Sequence, residues 1–348
     1  MRSIVRYFEN SLKSLQPDEK IDITIHCDNY VFEWLMAYVV LKEKKARGEA
    51  PESTEPPRIR TRNVIAILIA ADFLKIGLLV DDCAEFVAKR MQSIVSLPIS
   101  LDCLKDPLVE AIEAKVSDLE LEWVQDPQDK LVNRIFRKKL LKMLKEENIR
   151  VCRWCRLAYI KEEVSENEEQ EPAPGFECRK ADIKIDYNGK AVYMHRDEGA
   201  PRIEDVVETM TRAHVSSREI YWKIKFQLIY ERCLRCSAVF PLSEYFNCAY
   251  HTAQPLLNTG TNERIYSCCG KAEKVFDIGR DETGGCEFQP HEIDIEDSED
   301  SEFNKKVLSI FVATDRTYAF DISATSPPVK GRGKGEEKKR SKSFAQHS

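Results

Sequence analysis

Between Cys233 and His291 the chain sets out eight soft or borderline metal ligands: Cys233, Cys236, Cys248, His251, Cys268, Cys269, Cys286 and His291. Thiolate sulfur and imidazole nitrogen are the donors zinc prefers, and eight of them make two tetrahedral sites. A stretch built this way is held by metal more than by a large apolar core. Small modules of this kind present a surface rather than catalyse.

The spacing divides them into two sets. Cys233-x2-Cys236 lets two sulfurs reach one ion from a tight turn, and Cys248-x2-His251 closes the tetrahedron from a second knuckle. Phe240 and Leu242 lie between and supply a small core beneath the site. The second set is Cys268, Cys269, Cys286 and His291. Adjacent cysteines in an extended chain point to opposite sides, which would send Cys268 and Cys269 to different ions. The allocation of ligands between the two ions therefore stays open at this point. Buried inert thiols are the alternative, but they do not account for six cysteines and two histidines at knuckle-like spacing in a polar stretch.

A third set lies upstream. Cys152-Arg153-Trp154-Cys155 is another C-x2-C step. Cys178 precedes, and His195 ends, the segment Ile183–His195 (IKIDYNGKAVYMH), the clearest hairpin signal in the chain. Asn188-Gly189 suits a two-residue type I′ turn. That turn would face Ile185 with Val192 and Ile183 with Met194, and bring Cys178 and His195 to one end of the ribbon. Two zinc ions are expected downstream, and a third here. Cys27, Cys83 and Cys103 sit in apolar contexts and read as buried, inert thiols.

Composition narrows the class. With 348 residues, 43% of them hydrophobic, the chain can bury a core, and at ~100–200 residues per domain it holds two to three domains. A net charge of −6 argues against a nucleic-acid coat. The 12 cysteines come without an apolar leader in Met1–Leu15, which favours a reducing compartment where thiolates bind metal. Val64–Val80 is broken by Asp72 and Lys75 and too short to span a bilayer.

Along the chain, Ile21, Ile23 and Ile25 alternate with polar residues as in a half-buried strand. Helices are expected over Val31–Glu43, from Val64 through Leu74, over Leu78–Met91, and over Pro107–Leu119 with Asp106 as N-cap. Leu131, Ile135, Leu140 and Leu144 mark a further, basic helix, and Ile203–Ala213 and Arg218–Tyr230 two more. Glu162–Pro174 is an acidic loop, and VLSIFVA and TYAFDI, within Lys306–Ile322, could pair as a terminal hairpin. No tandem repeat is evident. No phosphate loop, H-E-x-x-H or nucleophile elbow occurs, and ligands in complete fours suit closed structural sites.

Two resemblances follow. Tyr266-Ser267-Cys268-Cys269-Gly270 and Gly285-Cys286-x4-His291, after a C-x2-H step, resemble the cysteine- and histidine-rich domain called CHORD, which binds two zinc ions. Cys233-x2-Cys236 is shorter than that family's first step. Asp22–Cys27, Phe32–Leu35, Ala70–Leu74, Ile94–Pro98 and Leu101–Leu104 resemble a divergent BTB/POZ domain. With the C-x2-C, the hairpin, Tyr221-Trp222 and the Cys/His region in that order, the chain is similar to the family of the SANT and BTB domain regulator of class-switch recombination. The SANT-like domain that vertebrate members carry ahead of the BTB is not expected in this chain, so functions needing it are not carried over.

The expected fold is α+β. A BTB/POZ-like domain covers 1–95, a helical extension 96–150, and a hairpin and helical segment with the third zinc site 151–231. A CHORD-like double zinc module covers 232–295, a β-rich segment 296–323, and a basic disordered tail 324–348. The resemblance implies a non-enzymatic nuclear adaptor that homodimerises through its BTB and recruits corepressors in transcription regulation, the cytoplasm being the second location. The competing expectation is a substrate adaptor for a cullin-type ubiquitin ligase. Direct nucleic-acid or membrane binding is not expected.

Overall fold

The computed structural model describes residues 28–48, 57–161, 178, 184–185, 191–192, 195–274, 285–293 and 301–313. The expected strand at Ile21–Ile25, the acidic loop and the basic tail lie outside these residues.

Helix α1 (Asn29–Ala46) starts where the Asp28 carboxylate accepts the Tyr30 amide at 2.8 Å. It buries Val31, Trp34, Leu35, Tyr38 and Val39, with Trp34 stacked on Tyr38 at 5.7 Å. Helix α2 (Val64–Phe73) is apolar almost all round, the mark of a helix enclosed by others. It packs against α1 and α3 (Gly77–Lys89). No described helix is long and apolar enough to cross a membrane.

After the short α4 (Met91–Val95), the helix expected over Pro107–Leu119 divides in two. Helix α5 (Asp106–Glu113) ends at Ala114, and α6 (Asp118–Glu122) restarts with a capping box between Ser117 and Glu120. Asp106 opens α5 rather than capping it; its carboxylate instead accepts from Lys138 at 2.8 Å. Helix α7 (Val132–Glu146) is capped from upstream, because Asp126 Oδ2 accepts the amides of Leu131 (2.8 Å) and Val132 (3.0 Å).

The second half is built from short antiparallel pieces: β1 (Ile149–Val151) with β2 (Ala158–Ile160), and β3 (Lys184–Ile185) with β4 (Ala191–Val192). Helices α8 (Ile203–Arg212) and α9 (Ser217–Leu228) follow. Then β5 (Tyr230–Arg232) pairs with β6 (Val239–Pro241), and β7 (Cys248–Tyr250) with β11 (Glu287–Gln289). Strands β8 (Pro255–Asn258), β9 (Glu263–Tyr266) and β10 (Ala272–Lys274) form a three-stranded ribbon with β9 in the middle.

Two expectations are corrected here. VLSIFVA is not a strand: it lies in helix α10 (Ser301–Ala313). Val307, Ile310 and Phe311 recur at helical spacing and are buried as one face, and Phe311 meets Phe226 edge-on at 4.9 Å. TYAFDI lies outside the described residues. The β3–β4 hairpin exists, but it pairs Lys184 with Val192 and Ile185 with Ala191, one residue from the expected register. Five residues separate Ile185 from Ala191, an odd number that a two-residue turn cannot close without a bulge.

The two halves share one core. Helix α9 lies on α7, with Phe136 against Tyr221 and Trp222 at 5.5 and 6.4 Å. Glu122, 3% exposed, accepts from Trp222 Nε1 at 2.6 Å and from Arg218 Nε at 2.9 Å. The buried Gln227 accepts the Ala158 amide at 2.6 Å, tying α9 to β2.

Candidate metal centres

Three quartets assemble, each with four ligand atoms within 4.8 Å of one another: Cys152, Cys155, Cys178 and His195; Cys233, Cys236, Cys248 and His291; His251, Cys268, Cys269 and Cys286. All twelve residues singled out from the sequence fall into these groups.

The allocation of the eight downstream ligands corrects the reading from spacing. His291, not His251, completes the group around Cys233. The cause is strand parity. Cys248 and His251 lie three residues apart on an extended segment, so they point to opposite faces. Strand β11 pairs Gln289 with Cys248 and Glu287 with Tyr250. Continuing that register by one residue sets Cys286 opposite His251, where Cys286 N donates to Tyr250 O at 3.0 Å. His291, two residues past Gln289, falls on the Cys248 side. The β7–β11 ladder thus acts as a partition, with one centre on each face.

Cys268 and Cys269 share a centre, also against expectation, because they do not lie in extended chain. They occupy a turn in which the amides of Cys269 and Gly270 both donate to Tyr266 O, at 3.3 and 2.7 Å. Gly270 closes it at φ 71°. The sequence Gly285-Cys286 has a separate steric reason: a Cβ on Gly285 would sit 2.0 Å from Tyr250 N.

The first two centres are copies of one another, offset by the interval from Cys152 to Cys233. In each, a helix (α7 or α9) runs into a strand pair that carries the C-x2-C knuckle at its bend. The residue after the second cysteine, Arg156 or Ser237, has positive φ (64° or 57°). The first cysteine amide donates across the bend, Cys152 to Leu157 O at 2.9 Å and Cys233 to Ala238 O at 3.0 Å. The next amide binds the carbonyl just past the histidine, Arg153 to Arg196 and Leu234 to Glu292, at 2.6 and 2.7 Å. An aromatic four residues after the knuckle covers the imidazole: Tyr159 on His195 at 4.6 Å, Phe240 on His291 at 3.7 Å. A helix (α8 or α10) follows the histidine. The repeat is invisible as sequence identity, because only ligands, turn geometry and apolar character are shared. Phe240 and Leu242 are fully buried, as expected for the core beneath the site.

The third centre belongs to the ribbon inserted between Cys248 and His291. Its histidine, His251, stacks on Tyr266 at 3.6 Å. Phe240 was singled out from sequence only as core, and Tyr159 not at all; the recurrent position four residues after the knuckle is the signal that could have marked both as covers of an imidazole.

The spacing of the donors can be compared with a tetrahedral ion. Bonds of ~2.3 Å to sulfur and ~2.0–2.1 Å to nitrogen give S···S edges of about 3.8 Å and S···N edges of about 3.5 Å. Cys152···Cys178 and Cys233···Cys248 are each 3.7 Å. Cys155 and Cys236 stand 3.5 and 3.6 Å from Nδ1 of His195 and His291. In the ribbon, Cys268 and Cys269 lie 3.4 and 3.5 Å from His251 Nδ1, and Cys286 lies 3.5 Å from Cys268. At these separations the sulfurs are free thiols, with no disulfide between them. Burial and the neighbouring Cys236 and Cys233 push the Cys248 thiol up to about 12. A bound cation reverses that balance by stabilising thiolate. The donor sets therefore fit a metal ion at all three centres.

The other cysteines differ among themselves. Cys83 is buried, and burial pushes its thiol up to about 12, as an inert core residue requires. Cys103 is exposed, which corrects its reading as buried: the bend at Ser100–Leu104 turns Leu101 and Leu104 inward and leaves Cys103 outside. Cys27 lies outside the described residues.

Comparison with known families bears on the other end of the chain. Residues 1–84 match the family model described as SANT and BTB domain regulator of CSR, BTB domain. The match ends inside α3, ahead of every ligand, and does not include a SANT domain. No solved structure matches the chain. A helical BTB region followed by small antiparallel sheets around Cys/His clusters makes the whole an α+β protein.

Proposed function

We propose that this chain is a non-enzymatic, zinc-stabilised protein-interaction adaptor. In this reading it pairs with a second copy through its BTB region and acts in the nucleus, recruiting corepressors in transcription regulation. The observation that carries it is the combination of a BTB match with three complete donor quartets. Four protein ligands leave an ion no open position for water or substrate, as structural zinc sites require and catalytic ones avoid. Zinc is favoured by the mixed thiolate–imidazole donors and by tetrahedral spacing without redox demand. BTB domains generally mediate protein association, and a closed pair with two-fold symmetry is the common form of such association.

Purified full-length chain should contain three zinc ions and run as a dimer at micromolar concentration in light scattering. A monomer would sink the pairing, and a chain with intact fold and no zinc would sink the metal assignment. Affinity capture from nuclear extract should recover corepressor subunits. Recovery of a cullin without them would favour the ubiquitin-ligase reading instead.

A further inference from the structure

The three centres share donor chemistry and spacing but differ in access. In the two knuckle copies Cys152, Cys178, Cys233 and Cys248 are all buried, at 0–1% exposure, and each centre has a single partly exposed thiol, Cys155 or Cys236, so neither holds two reachable cysteines. In the ribbon centre Cys268 and Cys269 are exposed and Cys286 is partly so. The ribbon around it is also open: Leu256 and Leu257 on β8 are exposed, as is Phe288 on β11.

We propose that the ribbon centre is a thiol-modification site for small hydroperoxides, closing a Cys268–Cys286 disulfide and releasing its ion. This rests on the zinc reading above. Proximity alone does not single it out, because the buried pairs stand nearly as close, at 3.7 Å against 3.5 Å. Access does. Reaction at sulfur needs a thiolate that the oxidant can reach in line, and burial denies that approach.

The chemistry balances as a two-electron oxidation. With hydrogen peroxide, one thiolate attacks a peroxide oxygen; the O–O bond breaks, hydroxide leaves (an alkoxide, from an organic hydroperoxide) and a sulfenic acid forms. The second thiolate attacks that sulfur, the S–O bond breaks, and a second hydroxide leaves as the S–S bond forms. Two protons from solvent convert both hydroxides to water. The peroxide is reduced and the two sulfurs are oxidised. The pair lies on separate segments, the turn after β9 and the lead into β11, so the bond also staples the ribbon to the β7–β11 ladder. The ion is left with His251 and Cys269 alone, too few protein donors to retain it against a chelator.

The test uses full-length chain carrying Cys103→Ser, which removes an exposed thiol outside the centres. Hydrogen peroxide is added with a chromogenic zinc chelator present, and thiols are mapped by differential alkylation and peptide mass. One zinc of three should be released, together with a Cys268–Cys286 disulfide, while Cys152, Cys178, Cys233 and Cys248 stay reduced. Release of all three ions in one step overturns the proposal. So does oxidation that begins at the buried cysteines, or a ribbon that stays reduced and metal-loaded at peroxide levels that oxidise Cys103 in the unsubstituted chain. The zinc count before peroxide separately reads the metal assignment. The alkylation map reads the oxidation site whatever that count is.

Discussion

The helical region from α1 to α7 and the knuckle region from β1 to α10 solve the same problem by different means. The first encloses α2 among helices and buries large side chains such as Leu35, Ile67, Leu68 and Phe136 completely. The second has strands of two to four residues, which supply too little apolar area to order themselves. Beyond the apolar face of α9 those strands need cross-links, and the three quartets are placed to provide them. The comparison shows how one chain can combine a core-stabilised part with a metal-stabilised part without a linker between them: α9 packs its aromatic face on α7 while its C-terminal end feeds the second knuckle.

Metal removal is the most forceful way to break this comparison. Structural zinc contributes an apparent ~10–16 kcal/mol in small zinc modules. A strong chelator should therefore abolish amide protection across β1–β11 and leave it across α1–α3, read by hydrogen exchange. Equal loss in both regions would show that the helical part does not stand on its own core.

The shared seam comes next. Trp222→Ala removes a fully buried indole and leaves Glu122 without that donor, and should cost ~3–5 kcal/mol in urea unfolding. Both regions should weaken together, and an effect confined to one would put the seam elsewhere.

A smaller effect separates the ribbon from the knuckles. Gly285→Ala forces a Cβ into the Tyr250 backbone and should cost ~1–3 kcal/mol, lowering zinc occupancy at the ribbon centre while the Cys152 centre stays loaded. Uniform loss across the centres would mean that they do not act separately.

The mildest is Ser117→Ala, which removes the capping box of α6 and should shift the helical region alone by ~1 kcal/mol. A change in zinc content would contradict the division of labour.

The sequence revealed the donors but not their grouping, for a physical reason. Cys233-x2-Cys236 is a local device, readable from spacing because the bend and both sulfurs lie within a few residues. The choice between His251 and His291 depends on the β7–β11 register, set by strands far apart in the chain. The parity argument applied to Cys268 and Cys269 was needed instead at Cys248 and His251, where the chain is extended. The helices were legible where an apolar stripe ran long, as from Leu131 to Leu140. They were misplaced where a polar side chain had a distant partner, as Asp106 has in Lys138. Val307, Ile310 and Phe311 fit a helical face, but local strand propensity in VLSIFVA obscured it.

The partition made by β7 and β11 has a consequence for chain length. Only 16 residues separate Cys178 from His195, whereas 42 separate Cys248 from His291. By the logarithmic law of loop closure, an excursion of the larger size costs only about 1 kcal/mol more than the smaller. The ladder returns the chain to the same place whatever lies beyond it. The second knuckle therefore behaves as a socket, into which a segment with its own ligands can be fitted without moving the ion that the socket encloses.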